Sequence, residues 1–206
     1  MATDAPHRNP LSTMNKLKAV DLWKLEEYSE RRPEFRRAVI AHKKHRKVHL
    51  GPNLTLLFED RMTIQYQVQE MLRIERIFER AGIEEELASY NPLIPDGSNW
   101  KATCLIEFED AAVRARALAR LRGIEHQLWA QVGDWPKCVP VADEDLDRSS
   151  DSKTSAVHFL RFELGVAQIE ALRQGEPLSF GVDHPDYHHV SVVEDRVRAT
   201  LIADLA

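Results

Sequence analysis

Residues 100 to 108 follow a period of two: Trp100, Ala102, Cys104, Ile106 and Phe108 are apolar, with mostly polar residues between them. Successive side chains of a strand point to opposite faces, so this pattern suits a half-buried strand and little else. It recurs at Ala156, His158, Leu160, Phe162 and Leu164. Each alternating stretch is followed by a helix-forming segment, Ala111 to Leu121 and then Val166 to Arg173. Further strand-like runs come next, at Gln127 to Val132 and Lys137 to Ala142, and at Leu178 to Val182 and His189 to Val193, before a terminal helix from Glu194.

The recurrence suggests a duplication with two short anchors. Phe108-Glu109 matches Phe162-Glu163, and Asp134-Trp135-Pro136 matches Asp183-His184-Pro185. The expected fold class is therefore α+β, with a helical N-terminal half packed on a mostly antiparallel sheet built from two similar β-α-β-β-like units. Residues 1–20 read as a flexible tail, 21–97 as a helical region and 98–206 as the duplicated region, with the last two forming one compact domain. Polar, acidic Asp143 to Ser155 reads as a linker.

Within the helical region, Asp21 is a candidate N-cap for a short helix to Tyr28, and Ser29 to Pro33 interrupts it. A second helix is expected from Glu34 to Lys47. Gly51-Pro52-Asn53 joins two short strands, Val48 to Leu50 and Leu54 to Phe58. A third helix is expected from Arg61 to Arg80 and a shorter one from Ile83 to Tyr90, and the turn-rich run Asn91 to Asn99 crosses to the sheet half.

Composition narrows the class. Of 206 residues, 43% are hydrophobic and 30% charged, the profile of a globular protein with a sizeable core. No apolar run approaches the ~20 residues of a membrane span, and the N-terminus has no secretory apolar segment, so a cytoplasmic location is expected. Cys104 and Cys138 have no zinc-like or CxxC spacing and read as free thiols, Cys104 as core packing. The net charge is −5, yet Arg31 to Lys47 holds eight basic residues and one acid, Glu34. An acidic chain with one basic segment is not a general nucleic-acid binder.

Glu75 is the most pointed candidate for chemistry. On a wheel of the expected Arg61–Arg80 helix, Ile64, Val68, Met71, Leu72 and Phe78 share an arc with Glu75 near its middle. None of its neighbours three or four residues away is a cation. A buried carboxylate so placed needs a distant partner, a metal or a raised pKa. His42 and His45 stand one turn apart and could share a cation, so His42, His45 and Glu75 form a candidate metal set, with Glu75 as candidate proton-transfer residue. Imidazole with carboxylate suits a divalent metal: iron, zinc or manganese. An anion-directed enzyme would instead use Arg73 or Arg76 as clamp and Glu75 as general base. His158 reads as a core histidine with a backbone partner, and Asp183 to His189 as a turn. There is no GxGxxG, Walker loop, HExxH, GxSxG, Cys₄ set or di-iron ExxH pair.

Longer motifs carry a family resemblance. They are Tyr28-Ser29-Glu30 with Arg32-Pro33-Glu34-Phe35-Arg36, His49-Leu50-Gly51-Pro52, Leu56 to Arg61, Tyr66 to Arg73, Tyr90 to Lys101 and Thr154 to Leu164. Through these the chain resembles the DUF3501 family, an uncharacterised bacterial domain of unknown function, across nearly all of its length after the tail. The resemblance brings no activity to any residue. It implies genes that often lie beside those of rubrerythrin and iron–sulfur oxidoreductases, hence a link to peroxide or metal-dependent redox metabolism. The leading expectation is a non-haem metal-binding or redox-accessory protein. The alternative is a non-catalytic module that docks a redox partner, a rubrerythrin or an iron–sulfur oxidoreductase, through its basic helix.

Overall fold

The computed structural model of the chain describes residues 16–146, 148–150 and 152–206. Among these, α1 (Leu25–Lys43), β1 (Lys47–Leu50), β2 (Leu54–Phe58), α2 (Arg61–Glu75) and α3 (Arg80–Tyr90) precede β3 (Asn99–Ile106), α4 (Ala111–Arg120) and β4 (Leu128–Val132). The chain continues with β5 (Val141–Ala142), β6 (Val157–Glu163), α5 (Val166–Arg173), β7 (Leu178–His184), β8 (Tyr187–Val192) and α6 (Asp195–Ile202). The class is α+β, as expected, and every strand pairing is antiparallel.

The single sheet of the sequence reading is in fact two. β1-β2-β3-β6-β5 form one sheet, and β4-β7-β8 form another. The period-two stretches became β3 and β6, paired so that Trp100 faces Phe162 and Cys104 faces His158 across the ladder. Their apolar sides point inward, and the inner side chains of both sheets meet in one core. Phe180 of β7 inserts among Phe58, Trp100 and Phe162 of the first sheet, with ring centroids 4.9, 5.8 and 5.4 Å away. Leu118 and Leu121, Ile169 and Leu172, and Val197 and Leu201 add the apolar sides of α4, α5 and α6 to that core. Gly51 turns the β1–β2 hairpin at φ +70°, and the His189 ring of β8 packs where its side chain would be. That close approach holds the hairpin against the second sheet.

The duplication anchors do not occupy matching places. Phe108 lies half-buried beyond the end of β3, whereas Phe162 sits fully buried inside β6. Asp134 falls after β4, whereas Asp183 and His184 belong to β7. What repeats is the chain path: β3-α4-β4 and β6-α5-β7 each leave the first sheet, pass through a helix and enter the second.

The helical half has its own apolar cluster of Leu17, Ile64, Val68, Leu72, Leu87 and Ile94. Leu17 belongs to the expected tail, but it is buried and its amide donates to Asn91 Oδ1 at 2.7 Å, and Ala19 packs beside it on the helical cluster. Residues 1–15 of the expected tail lie outside the described residues. The two expected helices around Ser29–Pro33 are one continuous α1, with Pro33 on its exposed side. Two residues at the ends of the expected linker are tied to the fold: Asp143 bonds to His158, and Thr154 is 1% exposed. No helix of the described residues is long and apolar enough to cross a membrane.

Candidate functional site on the first helix

Four side chains, Tyr28, Arg32, Phe35 and His42, hold α1 in place. Near its start, Tyr28 is fully buried and donates its hydroxyl to Glu70 of α2 at 2.7 Å. One turn on, the Arg32 guanidinium makes two 2.8 Å bonds to the same carboxylate. Arg32 and burial act in opposite directions on Glu70, and the arginine, aided by Tyr28 and Arg73, holds it down at about 2. Phe35 packs edge-on to Trp23 at 5.0 Å and against Tyr66 of α2 at 5.9 Å. At the far end, Val39 is buried and His42 Nε2 lies 2.5 Å from Asp60 Oδ2.

Beneath His42 lies a buried charge network. Arg46, 2% exposed, donates to the carbonyls of Phe58 and Glu59 at 2.9 and 3.1 Å and to the Asp204 carboxylate near the C-terminus. Asp60 lies 3.6 Å from the same guanidinium. Asp60 is also the N-cap of α2, accepting the Thr63 amide at 2.9 Å while the Thr63 hydroxyl accepts the Asp60 amide. The Glu59 carboxylate accepts hydroxyls from Thr63 and Thr103 at 2.5 and 2.6 Å. Burial would raise Asp60, but the His42 bond and the Arg46 charge outweigh it and bring it to about 2. Asp204 goes the other way: burial, only partly offset by Arg46 and reinforced by Asp60, pushes it up to about 6. One guanidinium serves two carboxylates, and the one that also bonds to the His42 ring and to the Thr63 amide is the one held down.

The expected set of His42, His45 and Glu75 does not assemble. His42 is committed to Asp60. His45 sits half-buried in the turn after α1, where its carbonyl accepts the Thr200 hydroxyl at 2.7 Å. Glu75 is the exposed last residue of α2, fifteen residues from Asp60 and so roughly 20 Å along the helix. The buried carboxylate inferred for it is not there, and the reason is local. Arg76 takes a left-handed conformation at φ 57° and stops the helix, so Phe78 is not part of the arc and is 64% exposed. Among the described residues no group of three or more His, Cys, Asp and Glu side chains is arranged to hold a metal ion. Arg73 is paired with Glu70, and neither it nor Arg76 forms a clamp with Glu75 around a described cavity.

Two other candidates have structural duties. His184 Nε2 lies 3.2 Å from the Arg122 carbonyl, and its Nδ1 accepts the Asp186 amide at 3.1 Å, building the β7–β8 turn. His158 is fully buried, with side-chain partners in place of the expected backbone one. Its Nδ1 is 2.6 Å from Asp143 Oδ2 and its Nε2 2.8 Å from the Thr154 hydroxyl. That hydroxyl donates to Glu125 at 3.1 Å.

What remains on α1 is an open cationic face. Of its nineteen residues only Tyr28 and Val39 are buried. Arg36, Arg37 and Lys44 are exposed, Lys43 is half-buried, and none makes an ion pair among the described residues. Ala38, Ile40 and Ala41 are exposed between them, Ile40 at 44%. A helix this polar on most sides relies for its hold on few buried anchors and on side-chain pairs such as Arg31 with Glu27.

The chain belongs to the family described as "Protein of unknown function (DUF3501)", whose family model matches residues 16–205. It is also similar to a solved structure, a novel protein of unknown function from Burkholderia pseudomallei K96243, determined at 1.90 Å. The two are 50% identical, the match covers 93% of this chain and 100% of that one, and the TM-score is 0.89. No curated protein matches the chain. The fold is thereby shared with a bacterial protein, and both descriptions give the function as unknown.

Proposed function

We propose that this protein is a non-catalytic docking module that presents α1 to an acidic partner protein. The observation that carries the reading is the under-buried helix, with Arg36, Arg37, Lys43 and Lys44 unpaired around the exposed Ile40. Opposite charge on the partner would speed encounter, and Ile40 with the neighbouring alanines would supply the apolar centre of the contact. The anchors beneath the face keep it rigid, so binding need not first order the helix. On this reading the partners are a rubrerythrin or an iron–sulfur oxidoreductase, the neighbours that the family resemblance implies.

The test is titration of the purified full chain with those two proteins at low and at physiological salt. Binding should weaken with salt, because exposed charges are screened beyond roughly 8 Å at physiological ionic strength. The double variant Lys43→Glu, Lys44→Glu should bind roughly tenfold more weakly, on the scale of a few exposed pairs lost. Binding that ignores both salt and charge reversal would remove the proposal, as would no binding by either protein.

A further inference from the structure

A second feature lies on the opposite side of the five-stranded sheet from its core. Between the β3–β6 surface, the end of α2 and the turn after α3 is a cleft of about 400 Å³. Its apolar wall is Met71, Tyr90, Pro92, Leu93 and Phe159. Lys101 and Arg161 stand directly opposite each other across the β3–β6 ladder, on the floor of that cleft. Like charges facing across an antiparallel pair repel, so this is a costly place for two cations in a structural sheet. Lys101 is the less satisfied. Its side chain is 12% exposed, its nearest acid is Asp96 at 3.5 Å, and Asp96 also pairs with Lys16 at 2.7 Å. Burial first, and Arg161 after it, depress the Lys101 ammonium below its ordinary value.

The charge on Arg161 is met by Glu144, a residue of the polar segment that follows β5. Its carboxylate grips Arg161 Nε and Nη2 at 2.8 Å each, a planar two-point bond. Glu144 is half-exposed, so a carboxylate from solvent can compete with it for the same guanidinium face. Glu163 holds the remaining nitrogen at 2.8 Å and would keep Arg161 oriented if Glu144 left.

We propose that the cleft is a binding site for a small monocarboxylate with an apolar body, in which Lys101 and Arg161 receive the carboxylate and Glu144 is its intramolecular stand-in. The size fits a small ligand, and the wall would cover its apolar part. Glu86 favours a single charge over two: it lies on the cleft with no basic partner among the described residues, so a second negative group would meet it. The proposal is independent of docking through α1, which uses another surface.

The experiment uses the full chain and four probes: 4-phenylbutyrate, hexanoate, the neutral 4-phenylbutanamide and inorganic phosphate, followed by calorimetry and by ligand-observed NMR. The two carboxylates should bind, and the amide and phosphate should bind at least roughly tenfold more weakly. Glu144→Ala should tighten carboxylate binding by about tenfold if the stand-in occupies the site some nine-tenths of the time. Glu144→Gln repeats that measurement with the side-chain shape kept, should the alanine variant fold poorly. Lys101→Met should weaken binding by roughly tenfold with its circular dichroism unchanged. Equal binding of acid and amide overturns the proposal. So does unchanged affinity in a folded Glu144 variant, or no carboxylate binding at millimolar concentration to wild type and variant alike; Glu144 would then be only a latch for its segment.

Discussion

Two buried charge networks in this molecule solve one problem in opposite ways. Beneath α1, Arg46 serves Asp60 and Asp204 together, and His42 connects the group to the surface with 23% of its side chain exposed. In the sheet half, His158 joins Asp143 to Thr154 and Glu125 with no exposure at all. The first is built from charge and links elements 158 residues apart in sequence. The second is built mainly from hydrogen bonds within a short reach of chain. Burial alone would raise Glu125, but the Ser149 hydroxyl, its own backbone amide, His158 and Thr154 hold it below the usual carboxylate range. A carboxylate with several neutral donors depends less on any one of them than two carboxylates depend on a single guanidinium.

The comparison predicts unequal damage. Arg46→Met leaves two buried carboxylates without their main counter-charge and should cost about 3–5 kcal/mol. His158→Ala leaves Asp143 still bonded to the Phe159 amide at 2.9 Å and to Arg148 at 3.3 Å, and Glu125 still bonded to hydroxyls. Its cost, bond loss plus cavity, should be about 2–3 kcal/mol. Urea denaturation of the two variants ranks them. If His158→Ala proves the more damaging, the sheet network is the one with a single point of failure.

Neither network could be read from the sequence, although most of the elements around them could. Period-two burial located β3 and β6, and Gly51-Pro52-Asn53 located the β1–β2 hairpin, because both signals are local. Asp60 meets Asp204 only through the tertiary fold, and no spacing foretells that. Nor does the alternation at Lys101 and Arg161 reveal that these two residues share one rung, since register depends on both strands. Glu75 misled for a sharper reason. The wheel assumed a helix through Arg80, but α2 ends at Glu75 with an arginine in the left-handed cap position, where glycine or asparagine is the usual signal. Of the two histidines named on the basic segment only His42 belongs to α1, and it serves a carboxylate that the sequence places eighteen residues away.

The two carboxylates of the α1 network should respond to pH in opposite senses. Asp60, lowered from 3.8 to about 2, contributes stability that is present above pH 4 and lost as pH falls toward 2. Asp204, raised from 3.8 to about 6, holds a proton in the folded state that the unfolded chain has released. Its contribution is therefore present below about pH 4 and lost as pH rises to 6. Each is on the order of 2–3 kcal/mol. The difference in stability between wild type and Asp204→Asn, measured from pH 4 to pH 6.5, should shift by that amount toward favouring the variant. A flat difference would mean that Arg46 keeps Asp204 ionised throughout, and that the two carboxylates do not compete.

The smallest effect offers the finest test of whether the sheet network is sealed locally or only by the fold as a whole. Cys104 faces His158 across the ladder and is fully buried, and burial, then Asp143 and Glu125, push its thiol far up. Cys138 is half-buried, with its thiol donating to the Glu163 carbonyl at 3.0 Å. A thiol reagent should therefore label Cys138 first and reach Cys104 only through opening of the structure. Each ~1.4 kcal/mol taken from the opening free energy speeds that labelling tenfold. In His158→Ala, Cys104 should be labelled faster than global destabilisation alone requires, because the residue lost is its immediate neighbour. An α1-network variant matched to it in global stability, such as Asp60→Asn in the right urea concentration, should show the slower rate. Equal rates at equal global stability would show that Cys104 is exposed only when the whole molecule unfolds, and that the two networks belong to one cooperative unit despite their different construction.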